Sequence, residues 1–447
     1  MESARKKIKD IQEAEEFLEG IPQFSGEETG FRYGVDRARL LLEYAGNPHR
    51  ELKIIHVAGS NGKGSVCALL DAALQAAGFK TGLFTSPHLT DIRERIRFCS
   101  DMIGEDDFVR LLNKVTEAAD KAMERYQELV PAYFDYLFVI AMLYYAEKKT
   151  DVVILETGLG GRLDATNVCE KPVLSVITPV ALEHTAILGS TIEEIAFEKG
   201  GIIKPGVTAV VTDEDESALK VFNDRAKKAG SRLVVFRKEH IRINTINADN
   251  IDFSLHNEYY RNVTVSIPIP AIYEAENAGL ALTALGALSE NNGLPGFDKA
   301  RFSESLNDIL HSFSGFEWPG RMERVGEGIY VDGAHNKAGI KAFVESVTAF
   351  AHDKENVLLF AVSDDKEKEE MVRLLCESRL FSAVVVTAFS GARSADAERI
   401  ATIFRKYSQA EVTMIEDSKE AYSAALTRPH HYVFCTGSLY LVGEIVH

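Results

Sequence analysis

A short apolar run, Ile54-Ile55-His56-Val57-Ala58, leads directly into Gly59-Ser60-Asn61-Gly62-Lys63-Gly64-Ser65. In the stretch that follows, Val66, Leu69, Leu70, Ala73, Leu74 and Ala77 fall at helical spacing, and Gly78 supplies a stop. A buried strand, a small-residue turn and a helix in that order point to an α/β layer around a largely parallel sheet. The same order dictates chemistry at the turn. Small residues let backbone N–H groups close on an anion, and the helix N-terminus adds about half a positive charge. Lys63 can reach β- and γ-phosphate oxygens, and the Ser65 hydroxyl can ligate Mg²⁺. The loop reads GxxGKGS, with a glycine between lysine and serine, so the common GxxxxGK[ST] spacing is not matched. Strand, lysine, serine and helix in sequence still mark a nucleoside triphosphate site, with Asn61, Gly62 and Gly64 completing it.

Such a site has to be local, because the chain as a whole repels phosphate. Its 447 residues hold 50 Lys+Arg against 67 Asp+Glu, a net charge of −17. That balance disfavours generic binding to nucleic acid or an anionic membrane. With 46% hydrophobic and 26% charged residues the composition is that of a globular protein. No apolar run is long enough to span a membrane, and the opening MESARKKIKD lacks the apolar core of a signal peptide. The expectation is a soluble, cytoplasmic protein. Cys67, Cys99, Cys169, Cys376 and Cys435 are scattered without a CxxC pair, which fits reduced thiols rather than a disulfide framework or a zinc site.

At roughly 150 residues per domain the length allows two or three domains. Strands are expected at 54–58, 81–85, 152–155, 173–178 and 208–211, and helices at 106–129, 134–148 and 192–199. Residues 232–270 alternate and are rich in turns, as for antiparallel hairpins at the sheet edge. Helices are expected again at 274–290 and 299–311. Around GFEWPG, residues 315–320, the texture changes, and a second α/β series follows. Its strands are expected near 328–331, 357–361, 383–386, 412–415 and 432–435. This predicts a large P-loop-type domain over 1–316 and a smaller Rossmann-like domain over 317–447.

Glu156 ends the strand 152–155, and His184 follows the strand 173–178 by a short loop. Both positions lie at the carboxyl edge of the sheet, where α/β proteins bind ligands. A carboxylate, an imidazole and hydroxyls near phosphates can hold Mg²⁺ without a dedicated cage.

Further segments occur in a fixed order: Thr85-Ser86-Pro87-His88-Leu89, then GLGGRLDATN at 158–167, then Glu198-Lys199-Gly200-Gly201-Ile202. Pro319-Gly320-Arg321-Met322-Glu323, Asp332-Gly333-Ala334-His335-Asn336 and Thr436-Gly437-Ser438-Leu439-Tyr440 come after them. Together with the loop at 59–65 they resemble the folylpolyglutamate synthase/dihydrofolate synthase branch of the Mur ligase superfamily, over nearly the whole chain. The resemblance implies an ATP-dependent amide ligase. A dihydropteroate or reduced-folate carboxylate would take the γ-phosphate as an acyl phosphate, and L-glutamate would then displace phosphate. The alternative within the superfamily is a Mur-type peptidoglycan-precursor ligase, and outside it a nucleotide-binding regulator without catalysis.

The resemblance also assigns residues. Ser86, Glu156 and His184 would contact Mg²⁺, with Ser65 serving the nucleotide-bound ion, for two ions in all. The usual Asp-His is Glu183-His184 here, and the extra methylene would alter a contact behind His184 without removing it as a ligand. Lys199 corresponds to a lysine that CO₂ carbamylates, and the family's Glu-Lys-Ala-Gly reads Glu-Lys-Gly-Gly here. Asn277 would contact adenine, Asp332 the ribose with His335 beside it, and Arg321 the γ-phosphate on domain closure. Lys366 and Ser438 would take the carboxylates of the incoming glutamate. Three patches would form the pteroate pocket: Gly34-Val35-Asp36-Arg37, Ala132-Tyr133-Phe134-Asp135, and Leu163-Asp164-Ala165. In the second patch Ala and Asp replace the family's Thr and Glu. A monomer is implied.

Overall fold

A computed structural model describes residues 7–22, 34–213, 215–352, 355–391 and 393–446 of the protein. The chain divides into two compact units, residues 1–238 with 280–312 and residues 239–279 with 313–447.

The first unit is built on an eight-stranded sheet. Its strands are β1 (Ile54–Ala58), β2 (Thr81–Phe84), β3 (Ile96–Phe98), β4 (Asp101–Met102), β5 (Val152–Glu156), β6 (Leu174–Ile177), β7 (Ala209–Thr212) and β8 (Leu233–Phe236). They lie in the order β4-β3-β2-β5-β1-β6-β7-β8, parallel except for the antiparallel edge pairs at β3 and β4. β1, β5 and β7 are buried along their whole length, which is why they read as mainly apolar runs, interrupted only by His56, Glu156 and Thr212, rather than alternating ones. Register places Val57 opposite Glu156 and Ala58 opposite Ile177, so the turns after β1, β5 and β6 all open at one edge.

Helix Tyr133–Lys148 is buried continuously from Asp135 to Tyr145. Gly82 on β2 gives it a seat, since a Cβ there would stand 2.6 Å from the Tyr145 ring. The Tyr145 hydroxyl then donates to the Leu83 carbonyl at 2.6 Å, so its one polar atom is satisfied in the core. No helix among the described residues is long and apolar enough to cross a membrane.

The second unit carries two sheets. β9 (Ile241–Ile246), β10 (Ile251–Leu255) and β11 (Val263–Ile267) form an antiparallel three-stranded sheet. The expectation for 232–270 is corrected here. Residues 233–236 join the large sheet as its parallel edge strand β8, and only 241–267 form hairpins, in a sheet of their own. Tyr330 anchors that sheet by donating its hydroxyl to the Ala248 carbonyl at 2.7 Å. The other sheet has the order β12-β13-β17-β14-β15-β16. Its strands are β12 (Glu323–Gly326), β13 (Ile329–Val331), β14 (Asn356–Phe360), β15 (Phe381–Val386), β16 (Glu411–Met414) and β17 (Tyr432–Thr436). All pairs are parallel except β12 with β13. One face packs aromatically, with Tyr330 stacked on Phe434 at 5.4 Å and Phe343 against Phe434 edge-on at 5.9 Å.

Candidate functional site

The loop after β1 is shaped by close approach. Gly59 has φ +152, and a Cβ on it would lie 1.7 Å from Thr178 Oγ1, so only glycine fits. Thr178 then donates to the Asn61 carbonyl at 2.7 Å, and Ser60 N–H donates to the Pro179 carbonyl at 2.9 Å. Gly62, at φ +81, opens helix Lys63–Ala76 without any side-chain cap, and the N-terminus of that helix faces the loop. Lys63 Nζ donates to the carbonyls of Gly59 and Ser60 at 3.0 and 3.1 Å, folding its charge back over the loop. Ser65 is fully buried in the helix's first turn.

Glu156, 3% exposed at the end of β5, accepts from Ser86 N–H at 2.9 Å. Of the three residues expected at the magnesium, Ser86 and Glu156 therefore lie side by side. His184 lies exposed in the left-handed conformation (φ 47) and opens the helical turn Thr185–Leu188. Among the described residues no group of three or more His, Cys, Asp and Glu side chains gathers as a metal cage.

Lys199 ends helix Ile192–Lys199 and is 1% exposed. Its Nζ donates to the Gly59 carbonyl and to Glu183 Oε1, both at 2.7 Å. Burial lowers the Lys199 pKa to about 8 against the raising pull of Glu183. Burial alone would raise Glu183, but Lys199 first, then Lys63 and His184, outweigh it and hold the carboxyl at about 2. Glu183 is the residue that sequence reasoning treated only as a neighbour of His184. Its departure from the Asp-His pattern was the available signal.

This pair makes a pH-dependent prediction. A carboxyl whose folded pKa lies below its unfolded value stabilises the fold above that unfolded value, near 4.5, and loses the contribution as pH falls toward 2. Glu183→Gln should therefore be less stable than the parent in urea at neutral pH. The gap should shrink as the medium is acidified through that window, and a gap independent of pH would contradict the pairing.

The three expected pocket patches come together. Val35 N–H donates to the Leu163 carbonyl at 3.1 Å, and a Cβ on Gly34 would sit 3.1 Å from Ala165 N. Arg37 Nε donates to Asp135 Oδ2 at 2.6 Å, and Ala132 N–H donates to the same oxygen at 2.8 Å. Both side chains are buried, and desolvation raises Asp135 although Arg37 opposes it. Phe134 lies on the backbone of Gly158, where a Cβ would be 2.8 Å from its ring. Arg95 stands 5.5 Å over the Tyr133 ring. Asp36 instead pairs with Arg39 at the exposed surface.

Asp164 accepts from Leu159 N–H at 2.8 Å and from the Thr166 hydroxyl at 2.5 Å. Because that hydroxyl donates to Asp164, it must accept from His56 Nε2 at 2.8 Å, which fixes the neutral tautomer of a histidine pushed down to about 3 by burial.

In the second unit Asp332 follows β13 and Ser438 follows β17, its neighbour, while Lys366 lies in the loop after β14; all three share one sheet edge. Asp332 is 2% exposed. It accepts from Ala334 N–H at 2.8 Å, from Met322 N–H at 3.0 Å and from the Tyr273 hydroxyl. Tyr273 is a second residue the sequence did not flag. A Cβ on Gly333 would meet Arg321 Nη1 at 2.5 Å, and His335 Nδ1 lies 2.7 Å from the Gly333 carbonyl. Asn277 is buried on helix Ile272–Asn291. Lys366 pairs with Asp365 at 3.2 Å, and Ser438 accepts from Tyr440 N–H at 3.1 Å.

Comparison with known proteins identifies the family. The Mur ligase middle domain family matches residues 57–285, and the Mur ligase glutamate ligase domain family matches residues 320–439. A dihydrofolate synthase/folylpolyglutamate synthase of Bacillus subtilis is 31% identical, covering 97% of this chain and 98% of its own. A probable dihydrofolate synthetase of Schizosaccharomyces pombe is 30% identical over 92% of this chain and 97% of its own. The crystal structure of a Thermotoga maritima folylpolyglutamate synthase superposes with a TM-score of 0.80 at 31% identity, over 97% of this chain and 95% of that one. The E. coli FolC complex with DHPP and ADP gives 0.81 at 25% identity, over 99% and 98%. The chain belongs to the Mur ligase family, in its dihydrofolate synthase/folylpolyglutamate synthase branch, and is an ATP-dependent ligase.

Proposed function

We infer that this ligase joins L-glutamate in amide linkage to dihydropteroate and to the glutamate tail of reduced folates, through an acyl phosphate. One observation carries the reading. Patches 34–37, 132–135 and 163–165, far apart in sequence, meet beside the turn after β5, at the edge where the loop 59–65 opens. A carboxylate is a poor acyl donor until it is phosphorylated. The chain's task is then to neutralise charge and hold the reactants in line.

The loop N–H groups and Lys63 receive the β- and γ-phosphates, with Lys63 leaving the carbonyls of Gly59 and Ser60 for the incoming oxygens. A substrate carboxylate oxygen attacks the γ-phosphorus and ADP leaves. The amine of glutamate then attacks the acyl carbon, loses its proton, and expels phosphate together with that carboxylate oxygen. Ser65, Ser86, Glu156 and His184 offer hydroxyl, carboxylate and imidazole donors without a closed cage, a set that suits Mg²⁺ completed by water and phosphate oxygens. When bound, the ion neutralises phosphate charge.

Burial lowers the Lys199 pKa against the pull of Glu183, which favours the neutral amine that can take up CO₂. Carbamylation would put an anion beside Glu183, so it requires Glu183 to leave Nζ. In the second unit Asn277 would take the adenine, Asp332 and His335 the ribose, Arg321 a phosphate, and Lys366 and Ser438 the glutamate carboxylates. ATP as substrate and five free cysteines fit a cytoplasmic location.

Purified protein given ATP, Mg²⁺, L-glutamate and either dihydropteroate or tetrahydrofolate should release ADP over repeated turnovers only when acid and amine are both present. A UDP-linked muropeptide should give no release. Stimulation by the muropeptide alone would transfer the chemistry to a peptidoglycan precursor.

A further inference from the structure

Phe197 lies on helix Ile192–Lys199 and stays 49% exposed. Two guanidinium groups share its ring, Arg225 at 4.1 Å from the centroid and Arg162 at 5.6 Å. Arg162 pairs with Glu198 at 2.9 Å. Arg225 has no carboxylate partner among the described residues, and its Nε is buried without a hydrogen-bond acceptor. Burial and the neighbouring Arg162 both disfavour the charge on Arg225, and Glu198 only partly offsets them. An unpaired, half-desolvated cation beside a like charge costs stability, so its presence in a chain of charge −17 points to a ligand of opposite sign.

The seat of Arg225 depends on a departure in this chain. Where the family pattern reads Glu-Lys-Ala-Gly, position 200 is glycine, and a Cβ there would stand 2.8 Å from Arg225 Cδ and 3.2 Å from Phe222 Cδ1. Arg162 in turn directly precedes the pocket patch Leu163-Asp164-Ala165, and its N–H donates to the Glu198 carbonyl at 2.7 Å. The cluster therefore sits beside the proposed folate pocket.

We propose that Arg225 and Arg162, stacked on Phe197, form a carboxylate-binding shelf for the oligo-γ-glutamyl tail of an already extended folate. The proposal rests on the folate reading above. Each added glutamate brings one α-carboxylate, and a guanidinium can take a carboxylate at its edge while its face lies on an aromatic ring.

The test titrates tetra-γ-glutamate, without a pteroyl group, into the full-length protein by calorimetry at low salt. Arg225→Gln should weaken binding about fivefold or more, and Gly200→Ala should weaken it in the same direction by unseating the arginine. Equal affinity in parent and Arg225→Gln, or no binding to the parent, would overturn the shelf. Inorganic phosphate, titrated in parallel, should bind more weakly. Phosphate binding as tight as the peptide's, with the same loss on substitution, would show a general anion site and overturn the tail assignment. In turnover, Arg225→Gln should raise KM for a folate triglutamate several-fold, with KM for ATP and the monoglutamate within about twofold. A uniform change in all three would also overturn it. If the parent protein turns over no folate, the substrate reading fails, while the peptide titration still decides the shelf.

Discussion

Lys63→Ala is expected to lower ADP release by about 10²- to 10³-fold, with little change in melting temperature. The reason is local. Lys63 is only partly buried, and in the folded protein its ammonium donates to two carbonyls of its own loop, Gly59 and Ser60. Those carbonyls meet water when the side chain is removed, so the fold loses little. The γ-phosphate, however, loses the positive charge that follows it as it transfers. Lys63→Arg should not restore the rate, because a planar guanidinium does not place a point charge over the same loop. Steady-state kinetics beside a thermal melt check both halves. A variant that melts far below the parent, or that keeps most of its rate, would contradict this role.

Glu156→Gln should have an effect of similar size on turnover. Glutamine keeps the length and one carbonyl oxygen, so the contact with Ser86 N–H at 2.9 Å can persist. What disappears is the negative charge at a site 3% exposed, where it is screened least. The expected result is a kcat lower by about 10²-fold or more and a raised Mg²⁺ requirement, read from ADP release across a magnesium titration. An unchanged magnesium dependence would remove Glu156 from the metal site.

Much of this was readable from residue order, and the limits of that reading have physical causes. The strand 54–58 is legible to the residue because a mainly apolar run stops at Gly59, where only glycine fits. The edge strands Ile96–Phe98, Asp101–Met102 and Glu323–Gly326 leave no signature in the sequence. They are too short to show a period, and pairing such as Gly82 with Phe98 defines them. Residues 232–270 alternate throughout, so pattern alone could not tell that 233–236 pair with β7 in parallel while 241–267 fold on themselves. At the site, motif order located the loop 59–65, Glu156 and Lys199. It did not show that Asp135 is already engaged by Arg37 and Ala132, or that the extra methylene of Glu183 reaches Lys199. Nor did it show that Tyr273 donates to Asp332. Each is a tertiary contact between segments with no local signature.

The most direct measurement follows an oxygen atom. If the acid is activated as an acyl phosphate, dihydropteroate labelled with ¹⁸O in its carboxylate must pass one label into the inorganic phosphate released with each amide bond formed. Mass spectrometry of that phosphate should find one ¹⁸O per turnover. Phosphate carrying no label, from reactions that do make the amide, would contradict phosphoryl transfer to the carboxylate and with it the role assigned to the whole edge at 59–65.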